Sequence, residues 1–154
     1  FDGENIPYAD ASFDYALCTQ VLEHCLNPEK LLSEVHRVLK PGGSFLLTVP
    51  LIWGEHEPPF DFRRYTSFGV EKLAKAQGFE VVEMRRLSEG LDALKTIVWS
   101  EHANFLRNAP PLSFQRKLKI KIGFFAFRVC CKLWKNSFPL ERIYLDNCAL
   151  LRKS

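Results

Sequence analysis

A strand, a helix and a second strand follow one another in residues 10–50, whose sequence is DASFDYALCTQVLEHCLNPEKLLSEVHRVLKPGGSFLLTVP. Residues 13–18 and 45–49 are short apolar runs, which predict strands buried on both faces of a parallel sheet. Between them, Asn27 and Pro28 suit the start of a helix, and the apolar side chains that follow recur on one helix face. Because a strand–helix–strand unit of this kind is parallel and right-handed, the sequence predicts an α/β fold.

Downstream of residue 50, the sequence predicts a long loop, three helices and two strands, separated by glycines, prolines and capping residues. We expect the last strand to pair antiparallel with the strand before it, at the edge of the sheet. In chain order, these segments are a loop at 51–65, a helix at 66–78, a strand at 79–84, helices at 90–107 and 112–135, and a strand at 147–152.

The composition is that of one domain. The chain has 154 residues, of which 47% are hydrophobic, and this is enough to bury a core. We expect core sheet and helices at residues 1–86, a helical insertion or lid at 87–138 and a terminal strand at 139–154.

Positive charge is concentrated in one part of the chain. Between His102 and Leu140 there is no aspartate or glutamate, and residues 112–135 combine lysine and arginine with phenylalanine and tryptophan. Such a segment suits an interfacial helix on anionic lipid. A helical lid with a solvated basic face is favoured over this membrane contact. Nucleic-acid binding is disfavoured, because no DNA- or RNA-binding motif accompanies the charge.

The cysteines indicate a reduced, cytosolic protein. The five of them form no CxxC pair and no zinc spacing, so no metal site is predicted. No signal peptide is recognisable, and no apolar run reaches the roughly 18 residues of a membrane-spanning helix. Because the chain begins with Phe1 rather than methionine, we expect a fragment of a longer sequence.

Four short motifs occur in order in the first part of the chain: DGENIPY at 2–8, SFD at 12–14, VLEH at 21–24 and EVHRVLKPGG at 34–43. Together they resemble the class I S-adenosylmethionine-dependent methyltransferases, specifically the type 11 family. Residues 51–66, with HEPP and DFRRYT, are similar to a subset whose members often act in cell-surface saccharide or lipid pathways.

The resemblance implies S-adenosyl-L-methionine as cofactor and a Rossmann-like methyltransferase sheet that lacks its first strands and has a helical insertion before the last strand. By the same resemblance, Asp2 accepts a hydrogen bond from the adenine amino group and Gly3 lies against the adenine. A carboxylate suits that amine, although residue type alone also fits a simple turn. Cys18 and Gln20 end the strand that points at the sulfonium, and Gln20 alternatively caps the following turn.

One part of the family's cofactor site has no counterpart here. Its glycine-rich loop and the acidic residue of its second strand would precede Asp2, whereas only Phe1 does so. By the size of strand–helix–strand units, about 70 residues would be absent. We therefore expect this chain alone to bind S-adenosylmethionine weakly or not at all, and to be inactive.

Two histidines are candidate catalytic bases. His56 lies on the long loop that follows the second strand, and a base within reach of a hydroxyl would assist O-methylation. A loop histidine tied to Glu57 or Asp61 is an equally good interpretation. His24 is the second candidate, because histidine is the usual general base near neutral pH, although Glu23 and His24 more simply brace the end of the sheet by hydrogen bonds.

The same loop supplies the candidate substrate-binding residues Trp53, Asp61, Arg63 and Arg64. The arginines suit a phosphate or carboxylate on the substrate. Alternatively, one of them pairs with Asp61 and fixes the loop.

The sequence therefore predicts a methyltransferase acting on a small-molecule or lipid- or saccharide-linked acceptor, most simply at oxygen. Its location would be cytoplasmic, with peripheral contact at the inner membrane surface as an option. The rival is a non-catalytic methyltransferase-like domain that uses the basic helical segment to bind a partner or a membrane.

Overall fold

The sheet is built on the strand–helix–strand unit that the sequence predicts. The computed structural model describes residues 5–134 and 142–154. Strands β1 (Phe13–Thr19) and β2 (Leu39–Pro50) are parallel, and helix α1 (Pro28–Val38) connects them. The predicted parallel unit is confirmed.

Three further helices and two further strands follow, and in the described residues the strand order is β1-β2-β4-β3. The last strand, β4, pairs antiparallel with β2. As expected, the last two strands, β3 and β4, are neighbours in the sheet. However, β3 lies at the edge and β4 lies inside the sheet. The elements are α2 (Ser67–Ala76), β3 (Phe79–Glu89), α3 (Gly90–Asn108), α4 (Phe114–Trp134) and β4 (Tyr144–Lys153).

One face of the sheet carries the core. In β2, the side chains of Phe45, Leu47 and Val49 are at most 1% exposed and belong to a cluster to which α1 and α2 both contribute. The alternate residue Leu46 is 38% exposed, and Tyr15 of β1 is 79% exposed. The prediction of strands buried on both faces is therefore wrong for β1 and β2, because the helices of this unit pack on one side.

Contacts in the structure explain the residue types at two positions, 43 and 66, that lie at the ends of predicted elements. A side chain at Gly43 would place its Cβ 2.8 Å from the Lys40 carbonyl and 3.2 Å from the Asp14 carbonyl, so only glycine fits. Thr66 is the N-cap of α2, and its Oγ1 accepts a hydrogen bond of 3.1 Å from the Gly69 amide.

The chain divides into two compact units, with boundaries at residues 87–88 and 143–144. The first unit holds the sheet with α1 and α2. The second holds α3 and α4, whose contact includes the rings of Trp99 and Phe124 at a centroid distance of 6.1 Å. Among the helices of the described residues, none combines the length and the apolar character needed to cross a membrane.

Candidate functional site

The carboxyl ends of β1 and β2 hold a cluster of one carboxylate and two imidazoles. Glu23 and His24 lie in the short helical turn after β1, and His56 lies in the loop between β2 and α2. Neighbouring parallel strands end at the same edge of the sheet, so the segments that follow them lie side by side there. In open α/β folds, ligands bind at this edge. One nitrogen or oxygen atom from each residue lies within 4.8 Å of the others. The structure thus brings the two predicted histidines together.

Glu23 is buried, and its carboxyl oxygens make no hydrogen bond with the described residues. The side chain is 0% exposed, and neither oxygen has a hydrogen-bond partner among the described residues. His24 Nε2 is 3.8 Å from Glu23 Oε1, which is too long for a hydrogen bond. Burial raises the pKa of the Glu23 carboxyl. The expected bracing hydrogen bond is therefore absent from this side chain, although the Glu23 backbone carbonyl accepts from the Phe62 amide at 2.9 Å.

Both imidazoles are oriented through their Nδ1 atoms. His24 Nδ1 lies 2.5 Å from the Phe60 carbonyl oxygen. His56 Nδ1 lies 3.1 Å from the Gly54 carbonyl oxygen and 3.3 Å from Asp61 Oδ2, so the predicted tie between His56 and Asp61 is present. The rings meet edge to face, with a centroid distance of 4.7 Å. The tautomer protonated at Nδ1 satisfies these oxygens in each ring and leaves Nε2 as a free acceptor.

Arg64 holds the loop that carries His56. Its guanidinium donates to both carboxylate oxygens of Asp61, at 2.6 and 2.8 Å. It also donates to the carbonyl oxygens of Trp53 and Gly54, at 3.3 and 3.2 Å. These contacts with Arg64 hold the pKa of the Asp61 carboxyl well below its usual range. Of the two roles left open for the arginines, the ion pair with Asp61 is formed by Arg64.

Arg63 ties the same loop to the segment after β1. Its guanidinium donates to the carbonyl oxygens of Cys25 and Leu26, at 2.5 and 3.0 Å. The Trp53 side chain is 38% exposed. The two loops of the site are therefore fixed to each other, whereas a substrate-binding role for the loop side chains stays a prediction.

The predicted cofactor-binding residues fall into two groups. Asp2 and Gly3 lie outside the described residues. Gln20 has a left-handed backbone conformation (φ 53°) at the end of β1. Its side-chain amide nitrogen, Nε2, donates a hydrogen bond of 3.3 Å to Asp146 Oδ1. Burial raises the pKa of the Cys18 thiol to about 12, so Cys18 is a protonated thiol at neutral pH and is not a nucleophile.

Sequence reasoning missed an ion pair that fixes the segment before β1. On α1, Arg37 donates to Glu34 at 2.8 and 2.9 Å, and to the carbonyls of Ile6 and Tyr8 at 2.9 and 2.8 Å. The Ile6 amide donates to Glu34 at 2.9 Å. Hydrogen bonds from Arg37 and Ile6 lower the pKa of Glu34 to about 2. The signal was available, since an acid and an arginine three apart on a helix form a pair. The pair thus holds Ile6 and Tyr8, which lie a few residues after the predicted adenine-binding positions.

Comparisons with known proteins agree on one family. Residues 1–47 match the family model described as "Methyltransferase domain". A probable S-adenosylmethionine-dependent methyltransferase of Mycolicibacterium smegmatis is 37% identical over 82 residues, which are 49% of this chain and 32% of that protein. A ubiquinone/menaquinone biosynthesis C-methyltransferase, UbiE, of Haemophilus ducreyi is 32% identical over 113 residues, covering 68% of this chain and 42% of the relative. The chain thus spans less than half the length of these curated relatives.

Solved structures of the same kind share the fold. A putative sarcosine dimethylglycine methyltransferase from Galdieria sulphuraria aligns over 100% of this chain and 58% of its own, with a TM-score of 0.58 and 18% identity. Phosphoethanolamine N-methyltransferase 2 of Haemonchus contortus, in complex with S-adenosyl-L-methionine, aligns over 99% of this chain and 36% of its own, with a TM-score of 0.54 and 20% identity. The predicted Rossmann-like α/β fold is confirmed.

Proposed function

Because this chain belongs to the type 11 family of class I S-adenosylmethionine-dependent methyltransferases, we propose that it forms part of an enzyme that transfers a methyl group from S-adenosyl-L-methionine. The proposed acceptor is a small molecule or a lipid- or saccharide-linked hydroxyl. The observation that carries this proposal is the convergence of Glu23, His24 and His56 at the carboxyl ends of two parallel strands.

The chemistry of this edge suits the cofactor. S-adenosylmethionine carries positive charge on its sulfonium and its amino group, and the carboxyl group of Asp146, which accepts from the Gln20 side chain, lies at this edge. Burial raises the pKa of the Asp146 carboxyl, whereas a nearby cation would favour its ionised form. We assign Gln20 and Cys18 to the cofactor side, together with Asp2 and Gly3. When bound, the cofactor supplies the electrophilic methyl group.

The role of this chain is then to align and deprotonate the acceptor. Methyl transfer is a single displacement, so most of the rate comes from positioning. His56 Nε2 is available to accept the hydroxyl proton, because its Nδ1 is turned toward Gly54 and Asp61. Arg63 and Trp53 are assigned to the substrate side of the loop.

Replacing His56 with alanine is expected to lower kcat by about 100-fold or more, the usual contribution of a general base. The measurement is transfer of a radiolabelled methyl group from S-adenosylmethionine to hydroxyl-bearing small molecules and lipid extracts. The enzyme used in the assay is the longest protein that the gene encodes. His102→Ala, in the second unit, is the matched control and should retain activity. An unchanged kcat in His56→Ala would remove the base from the proposal.

We propose a second role for a cytoplasmic protein, which is peripheral contact with the inner surface of the membrane. Helix α4 supports this role. Its outward apolar side chains recur three or four residues apart, which places them on one helix face. Phe114 is 80% exposed, Phe125 71% and Leu133 70%. Lys117, Lys121 and Arg128 add positive charge to the same helix, as in interfacial helices on anionic lipid. The free cysteines suit this reducing compartment.

Replacing Phe125 with serine is expected to weaken vesicle binding about 30-fold, because one buried phenylalanine contributes about 2 kcal/mol. The measurement is flotation with vesicles containing phosphatidylserine, compared with vesicles of phosphatidylcholine alone. Tyr15→Ser removes an equally exposed aromatic ring from the first unit and should leave binding unchanged. Flotation that is independent of anionic lipid would contradict the membrane role.

A further inference from the structure

The cluster at the ends of β1 and β2 contains a buried carboxyl group for which the described residues supply no hydrogen-bond partner. A charged group without a partner in a protein interior costs several kcal/mol, so such groups are normally paired or bind a metal. Glu23 is 0% exposed and both of its oxygens lack a hydrogen bond, while two imidazoles stand beside it. A buried carboxyl group beside two imidazoles is a set of metal ligands.

We propose that Glu23, His24 and His56 bind one divalent transition-metal ion. Zn²⁺ is the ion used below to examine the geometry and to test the site. The inference uses the same three side chains as the proposed function, but metal binding by them requires neither the acceptor nor methyl transfer.

The geometry is close to that of a metal site. Ligands about 2.1 Å from a tetrahedral ion are about 3.4 Å from one another. The candidate ligand atoms here lie within 4.8 Å of each other, so movements of about 1 Å, mostly side-chain rotation, would bring them into range.

The surroundings of both histidines match those of metal ligands. Metal-binding imidazoles usually donate their second N–H to a carbonyl or a carboxylate, which fixes the tautomer and the ring orientation. His24 directs Nδ1 to the Phe60 carbonyl, and His56 directs Nδ1 to the Gly54 carbonyl and the Asp61 carboxylate. In both rings, Nε2 is left for the ion.

The ligand set indicates the class of ion and its use. Two imidazoles and one carboxylate suit Zn²⁺, Mn²⁺ or Fe²⁺ better than Ca²⁺, which prefers oxygen ligands alone. Three protein ligands leave a coordination position open. The side chains of His24 and His56 are 15% and 32% exposed, so that position has access to solvent. With the ion bound, it would polarise an acceptor hydroxyl directly, in place of proton removal by His56.

The test is a titration of the metal-free 154-residue chain with ZnCl₂ by calorimetry, and with CoCl₂ by visible absorption. We expect one ion per chain with micromolar or tighter affinity. Glu23→Gln and His56→Ala should each weaken Zn²⁺ binding at least 100-fold, whereas His102→Ala should not change it. Cys25→Ser is a second control, because this thiol lies close in sequence to the cluster.

Folding of the variants is checked by thermal unfolding with and without Zn²⁺. Glu23→Gln keeps the shape and removes the buried charge, so it should fold without the ion and lose the Zn²⁺-dependent rise in Tm that the unaltered chain shows. No binding by the unaltered chain, or binding that survives Glu23→Gln, would overturn the site. Neither result depends on S-adenosylmethionine, so failure here leaves the proposed methyl transfer untouched.

Discussion

Replacing Arg64 with alanine is expected to lower the free energy of unfolding by about 3 kcal/mol, because it leaves the largely buried Asp61 carboxylate without its cation. Arg64 is also the donor to two backbone carbonyls on the opposite side of the same loop, those of Trp53 and Gly54. Its loss should therefore free His56 from its present position. Urea unfolding measures the first effect, and amide hydrogen exchange across residues 53–62 measures the second.

The variant Arg64→Lys distinguishes the contribution of the positive charge at position 64 from that of the shape of the guanidinium group. Lysine keeps the positive charge but has no planar fork that can meet both oxygens of Asp61, so Arg64→Lys should recover only part of the stability. In a double-mutant cycle, Asp61→Asn should cost much less when Arg64 is already alanine. Full stability in Arg64→Ala would show that the loop is held by other contacts, such as those of Arg63.

Replacing Phe45 with alanine is expected to cost about 4 kcal/mol, within the range for removing a buried phenylalanine. Phe45 is 1% exposed in the middle of β2, and its ring lies 5.5 Å from that of Phe79, centroid to centroid. Since small domains are stable by about 5–15 kcal/mol in total, much of the variant should be unfolded or insoluble. Urea unfolding followed by tryptophan fluorescence measures the loss.

Leu46→Ala is the matched control for this core substitution. Leu46 is the next residue of the same strand but points to the opposite face and is 38% exposed, so the change should cost about 1 kcal/mol. Similar costs at positions 45 and 46 would mean that both faces of β2 are packed in solution, contrary to the structure.

The local elements could be predicted from the sequence, because their signals are local. The apolar periodicity of α1, the Asn27-Pro28 start and the Thr66 cap are formed by residues near one another in the chain. The insertion of β4 between β2 and β3 could not be predicted in this way. It depends on contacts between residues about a hundred positions apart, such as Phe45 with Leu151, and a strand's own sequence does not specify its neighbours.

The site was predictable in part for the same reason. His24 and His56 were found because each follows a predicted strand, and the parallel pairing of those strands brings them together. Glu23 was assigned a bracing role because nothing in a sequence tells whether a carboxylate will find a donor. Only the packing shows that both of its oxygens are enclosed without one.

The exposed side of the sheet has a consequence for handling this protein. In the described residues, β1 pairs with β2 alone, and the apolar residues Leu17, Leu46 and Leu150 form a row across the face away from the core. A strand edge with free amide and carbonyl groups beside such a row is a template for a strand from another molecule. Concentrated samples should therefore associate through intact sheets, and dilution would recover them without refolding.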